Sequence, residues 1–119
     1  MLKRGYKVTS QNKRSVIRFI DEPSSPGVGY SRESSTLPKF GCGPLTVFKT
    51  LEGAVKFRSR VTGDYRLFSC YYIPSSDQEV WSFDQPHQSL YRLMISNLDC
   101  IIPGTVDLAD EVILGEELL

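Results

Sequence analysis

The clearest pattern of hydrophobic and polar residues lies in the middle of the chain. Residues 45–48 are apolar or β-branched and predict a short buried strand. After them, apolar residues recur at three- and four-residue spacing, as on one face of a helix: Leu51, Ala54, Phe57 and Val61. Thr50 is a good N-cap, because its hydroxyl can accept a hydrogen bond from a free first-turn amide. The pattern therefore predicts a strand, a tight turn and a helix over about 51–61.

Other segments rich in β-formers predict the remaining strands. They are 5–10 and 15–20, joined as a basic hairpin, 30–36 as a short edge strand or loop, 65–73 as a central strand, 79–83, and a last strand near 110–114. Segment 89–96 fits either a strand or a short helix, so a second helix near 86–96 stays open. The acidic tail after 114 is expected to fray. Together these elements predict an α+β fold with a mostly antiparallel sheet and one helix.

The same pattern predicts which side chains form the core. Six residues are expected to be largely buried around the helix: Val47, Phe48, Ala54, Phe57, Leu67 and Trp81.

The length of 119 residues with 40% hydrophobic and 24% charged residues predicts a single domain over 1–119. The first residues carry charges without an apolar run behind them, so export and membrane insertion are not expected. Cys42, Cys70 and Cys100 are an odd number at wide spacing and lack a Cys-x-x-Cys pair. Reduced, partly buried cysteines in the cytoplasm are the expectation, with no metal and no cofactor.

Charge is divided unevenly along the chain. Residues 1–66 carry a net charge of +8 and residues 67–119 carry −8, so the total is zero. In one interpretation, basic and acidic strands neutralise each other across the sheet. In the other, a basic face binds an anionic partner or the acidic face of a second copy. The second interpretation predicts a dimer, with Lys13, Arg14 or Arg18 of the basic hairpin near acids of the partner.

The basic hairpin also raises nucleic-acid binding as an alternative. A basic hairpin that also carries Tyr6 and Phe19 could follow a phosphate backbone. Its cations are Lys3, Arg4, Lys7, Lys13, Arg14 and Arg18. An isoelectric point near 6.6 and the acidic second half argue against it.

Catalytic signatures are incomplete. Cys42 lies between two glycines, and a thiolate there would need His87, the single histidine, as its base. The glycines of 41–43 precede a strand rather than a helix, and no Gly-Lys pair follows, so a phosphate-binding loop is not predicted. Asp107, Asp110 and Glu111 lack the spacing of a metal loop. No catalytic residue is assigned.

Residues 43–54, followed by the strand 65–73, resemble a pattern in small ADP-ribosyltransferase-like proteins, in which a glycine-containing loop leads to a short strand, a capped helix and a long strand. Residues 103–106 and 109–112 are similar to the closing strand of small proteins of that layout, some of them from phages. The resemblance covers about 40–114 and implies a pocket for a nicotinamide dinucleotide or ADP-ribose near 41–48. The candidate ligand-binding residues are Lys7, Tyr30, Arg32 and Cys42. The catalytic pattern of the family has no counterpart at a defined position here.

Two functional hypotheses follow. The first is a non-enzymatic binding or assembly protein, of viral or mobile-element origin, that acts through its surface. The second is an ADP-ribosyltransferase-like domain that binds a nucleotide, with or without catalysis.

Overall fold

The computed structural model describes residues 1–11, 30–31, 33–38, 43–61, 63–77, 79–81, 88–89, 102 and 104–118. In these residues the elements are β1 (Lys3–Thr9), β2 (Ser35–Thr36), β3 (Leu45–Phe48), α1 (Leu51–Arg60), β4 (Arg66–Pro74), β5 (Glu79–Val80), β6 (Gln88–Ser89) and β7 (Val106–Leu118). The predicted α+β class with a mostly antiparallel sheet is confirmed.

The main sheet closes on itself through β7. The first part of β7 pairs with β3, in register from Leu45↔Ala109 to Phe48↔Val106. The rest of β7 pairs with β4, which pairs along its other edge with β1, and β1 meets β3 at Tyr6↔Phe48. The four strands β1, β3, β7 and β4 therefore form a closed antiparallel ring, and β2 extends it along the free part of β7.

Helix α1 begins and packs as the sequence predicts. The hydroxyl of Thr50 accepts a hydrogen bond from the amide of Gly53 at 3.0 Å. Ala54 and Phe57 are buried against the outside of the ring, in one cluster with Val8, Phe48 and Leu67. The rings of Phe48 and Phe57 lie 5.2 Å apart. This cluster covers one part of the outer face of the sheet.

Several predictions of the sequence are wrong. Leu51, assigned to the buried helix face, is 44% exposed, because the buried face is centred on Ala54 and Phe57 and leaves Leu51 at its edge. Trp81 is partly buried, less completely than the five other predicted core residues, and pairs through its backbone with Gly43. The last strand runs far beyond 110–114, and the acidic tail to Leu118 is paired with β4 rather than frayed.

The two ambiguous segments have partial answers. Residues 88–89 form a strand, β6, that pairs with β5, so the alternative helix near 86–96 is wrong at these two positions. The rest of that segment lies outside the described residues. So does 15–20, the predicted second strand of the basic hairpin. Residues 35–36 form the predicted short edge strand.

The charge division is partly neutralised across the sheet. The guanidinium of Arg66 on β4 makes two hydrogen bonds to the carboxylate of Glu117 on β7, at 2.7 and 3.0 Å. Side-chain exposures of 27% and 42% mean that water screens this pair, so it contributes little to stability. The pair is one case of the cross-strand neutralisation that the sequence predicts.

The fold makes a prediction about the buried helix face. Phe57 is 1% exposed, and the substitution Phe57→Ala should lower the free energy of unfolding by about 3–5 kcal/mol, because it removes a packed ring and leaves a cavity. Val55 lies on the same helix and is 39% exposed, so Val55→Ala should change the free energy of unfolding by about 0.5 kcal/mol or less. Urea denaturation measures both. Equal losses in the two variants would show that the helix buries another face.

Candidate functional site

The inside of the strand ring contains a buried lysine. The side chain of Lys7 on β1 is directed into the ring and the residue is 3% exposed. Its ammonium donates hydrogen bonds to the carbonyl of Thr46 at 2.5 Å and to the hydroxyl of the same residue at 3.3 Å. These bonds tie β1 to β3 close to the point where the two strands pair, at Tyr6↔Phe48.

Tyr30 packs directly against this lysine. The ammonium of Lys7 lies 5.0 Å from the centre of the Tyr30 ring, a cation–π distance. Tyr30 is 4% exposed and belongs to the interior cluster with Leu45 and Val47. Its hydroxyl is buried and has no hydrogen-bond partner in the described structure. A buried tyrosine hydroxyl normally has a partner, so this hydroxyl can still form a hydrogen bond with an acceptor or a donor.

A second polar pair lies in the same interior. The hydroxyl of Tyr72 donates a hydrogen bond to a carboxylate oxygen of Asp107 at 2.9 Å, and the amide of Leu108 donates to the other oxygen at 2.9 Å. Tyr72 reaches this position because it crosses Gly5 on β1. A Cβ on Gly5 would lie 2.8 Å from the Tyr72 ring and 3.0 Å from the carbonyl of Phe48. A larger residue at position 5 would therefore displace the ring.

Burial changes the proton affinity of the groups around Lys7. Loss of water lowers the pKa of Lys7 to about 8, and the nearby Cys70 offsets a small part of this change. Burial raises the pKa of the Cys70 thiol to about 11, against the opposing effect of Lys7 and a backbone hydrogen bond from Gly5. The pKa of Tyr30 is raised, chiefly by burial. At neutral pH the interior therefore holds a neutral thiol, a neutral phenol and a protonated lysine, and the lysine loses its proton just above neutral pH.

The structure brings together two of the four candidate ligand-binding residues. Lys7 and Tyr30 are in contact, and both adjoin β3, which forms part of the loop and strand over 41–48 where a pocket was expected. Arg32 and Cys42 lie outside the described residues, as does His87, the base that a Cys42 nucleophile would need. Whether the first two bind a ligand stays a prediction.

Two expectations about charged residues change. Lys7 is buried inside the ring, so it cannot belong to an exposed basic surface for nucleic acid, whereas Lys3 and Arg4 of the same strand are exposed. The acids Asp107, Asp110 and Glu111 do not gather. Asp107 is bonded to Tyr72, Asp110 is exposed, and Glu111 accepts a hydrogen bond from Ser35. Among the described residues no group of acids, cysteines and histidines could hold a metal.

Sequence reasoning missed Thr46, Cys70, Tyr72 and Asp107 as members of this cluster. A signal was present in β4, where Phe68, Cys70 and Tyr72 alternate and so share one face of the strand. That face is the inside of the ring, where Phe68 stands directly opposite Lys7.

No protein-family model matches this chain, and no curated protein or solved structure is significantly similar to it. The helix in the described part of the chain, α1, has ten residues and is too short to cross a membrane.

The buried lysine predicts an unusual dependence of stability on pH. The pKa of Lys7 is lower in the folded chain, about 8, than its ordinary value of 10.5, so the unfolded chain binds more protons between these values. Stability should therefore rise with pH from about 8. Cys70 has the opposite effect between 9.0 and about 11, and Tyr30 opposes the rise at higher pH. The net gain from pH 7 to pH 9 should be about 1 kcal/mol.

Urea denaturation at pH 7 and pH 9 measures this gain, with Lys7→Met as the comparison. The variant keeps the stem of the side chain and removes the charge, so the rise should disappear. A rise of the same size in Lys7→Met would contradict a lowered pKa at this position.

The two interior tyrosines should respond differently to loss of their hydroxyls. Tyr72→Phe removes the donor to Asp107 and should lower the free energy of unfolding by about 1 kcal/mol, since a partly buried acceptor loses one partner. Tyr30→Phe removes a hydroxyl without a partner and should be neutral or stabilising by up to about 1 kcal/mol. Thermal and urea unfolding of both variants provide the test. A loss in Tyr30→Phe as large as that in Tyr72→Phe would mean that the Tyr30 hydroxyl is hydrogen-bonded.

Proposed function

We propose that this protein is a non-enzymatic binding or assembly protein of the cytoplasm that acts through its surface. The observation that carries the proposal is a group of apolar side chains on the outer face of β4 and β7, away from helix α1. Tyr71 in the centre of this face is 49% exposed, and Ile73 and Ile113 beside it are half-buried. Leu2 and Leu37, which adjoin the ends of β1 and β2, are 51% and 63% exposed. Clustered exposed apolar side chains are typical of protein interaction sites.

The engagement of the interior polar groups supports a surface role. The ammonium of Lys7 is bonded to Thr46, and the carboxylate of Asp107 is bonded to Tyr72. In each case the bond joins two strands of the ring, which is a structural use of the group. A catalytic acid or base needs to reach the proton it transfers, and Lys7, which is 3% exposed, is enclosed by the ring.

The charged residues next to the apolar group indicate the kind of partner. Lys3 and Arg4 are exposed at the start of β1, and Arg4 shares the face of Tyr71; Glu33 and Asp110 are exposed near β2 and on β7. We infer that the protein forms a homo-oligomer, and that an anionic partner would bind at Lys3 and Arg4, the part of the predicted basic hairpin that the structure describes.

The second candidate function is binding of a nicotinamide dinucleotide or ADP-ribose, as the resemblance to ADP-ribosyltransferase-like proteins implies. The specific observation in its favour is the buried Tyr30 hydroxyl without a partner, beside the ammonium of Lys7. Together they could donate to a phosphate or a carboxamide oxygen.

Thermal unfolding with nicotinamide dinucleotides and ADP-ribose separates the two candidates. A ligand that binds only the folded chain raises the melting temperature in a saturable way. The surface role predicts no rise at about 1 mM ligand, roughly the concentration needed to detect weak binding. Release of free nicotinamide should also be absent. A saturable rise that is lost in Lys7→Met would establish the second candidate, and turnover would contradict the first.

A further inference from the structure

We propose that the outer face of β4 and β7 is the interface of a two-fold homodimer, in which Arg4 of each copy contacts Glu111 of the other. This inference rests on the proposed surface function and names the partner as a second copy of this chain. The face is formed by Arg4, Ser35, Tyr71, Ile73, Glu111 and Ile113.

The strand register places these residues side by side. Arg4 stands opposite Tyr71, Tyr71 opposite Ile113, and Ile113 opposite Ser35, in one row across β1, β4, β7 and β2. Directly opposed residues of antiparallel strands share one face of the sheet. Four neighbouring strands at about 4.8 Å spacing make this row about 15 Å wide.

A second row lies beside the first. Ile73 stands opposite Glu111, and residues two positions apart on a strand lie about 7 Å apart on the same face. Leu2 precedes β1 and Leu37 follows β2, at the two ends of this row. The apolar centre is therefore flanked by strand ends that carry further exposed leucines.

The boundary of this face follows from helix α1. The helix buries Val8, Leu67 and Phe48 and packs against Tyr6 and Leu118. Arg4 lies two residues before Tyr6 and Tyr71 lies four residues after Leu67, away from the helix, and both are exposed. Among the described elements, α1 covers one half of the outer side of the sheet, and the other half carries Tyr71, which is exposed, with Ile73 and Ile113, which are half-buried.

The charges on this face suit pairing with a second copy. The basic residue Arg4 lies on β1, at one side of the apolar centre. The acid Glu111 lies on β7, at the other side, where its carboxylate accepts a hydrogen bond from Ser35. A two-fold axis through the centre, between Tyr71 and Ile113, brings the basic side of each copy over the acidic side of the other. The two Arg4–Glu111 contacts then form together by symmetry. An unrelated partner would not require a basic side and an acidic side on the same face.

The size of the face sets the affinity. A patch about 15 Å wide and two to three rows deep is smaller than a standard specific interface, so weak association with a dissociation constant of roughly 100 μM is expected. Tyr71 is the natural anchor, because buried tyrosines carry a large share of the energy of interfaces. The Arg4–Glu111 contacts lie at the rim and fix the orientation.

Sedimentation velocity of the full chain, from about 5 to about 500 μM, measures the monomer–dimer equilibrium across this range. Tyr71→Ser should weaken dimerisation by about tenfold or more, since it removes the central apolar contact. Leu51→Ser is the matched control: Leu51 is exposed to a similar extent, 44%, but lies on α1, so the variant should dimerise like wild type. Melting temperatures of all variants check that each one is folded.

A charge exchange tests the orientation. Arg4→Glu and Glu111→Arg should each weaken the dimer, because like charges then meet across the two-fold axis. The double variant should recover wild-type affinity to within about threefold, since opposite charges face each other again. Recovery distinguishes a direct contact from damage to the fold, which would accumulate in the double variant.

A wild-type chain that stays monomeric at the highest concentration overturns the proposal, and the uncovered face then belongs to a different partner. A dimer that Leu51→Ser weakens as much as Tyr71→Ser also overturns it, as does a double charge variant without recovery. These failures leave the broader surface function standing. Nicotinamide release or saturable nucleotide binding would instead contradict that function while leaving the dimer result unaffected.

Discussion

The pairing of β7 on both of its edges is the constraint on which the rest of the structure depends. Its 13 residues are bonded to β3 at one end and to β4 along most of the remainder. The register with β4 shifts twice, between Phe68 and Cys70 and between Ile73 and Pro74. Such bulges bend a strand and increase its twist, which lets one strand turn from one neighbour to the next. Without β7 the sheet would have two open edges and its inner face would be exposed to water.

Closure of the ring explains why polar residues are buried. In an open antiparallel sheet, a strand that reads Gly5, Lys7, Thr9 on one face and Tyr6, Val8 on the other would turn the first face to solvent. Here helix α1 covers the second face and the ring encloses the first, so both are buried. A buried ammonium lowers stability at neutral pH unless it is well bonded. Thr46 and the Tyr30 ring supply partners, yet the lowered pKa of Lys7 shows that the loss of water dominates.

The same argument separates what sequence could predict from what it could not. The segment from Leu45 to Arg60 was predictable, because a cap, a spacing and a short strand are local signals. The burial of Lys7 was not, since it depends on strand pairing between residues about 35 to 70 positions apart in the chain. Gly53 shows the conflict directly. Glycine is a poor helix former, so its place in α1 looks unfavourable from sequence alone. A Cβ at this position would lie 2.7 Å from Thr105, the residue before β7, so the close approach of Thr105 to the helix requires glycine.

Ring closure also determines what is left outside. Because alternate residues of β4 must point in opposite directions, burying Cys70 and Tyr72 inside forces Tyr71 and Ile73 outward. The ten residues of α1 span about 15 Å, which is enough to cover Leu67 but not the far end of a nine-residue strand. The fold of one copy therefore leaves about half of the Tyr71 side chain in contact with water. This exposed aromatic ring is the anchor of the proposed contact with a second copy.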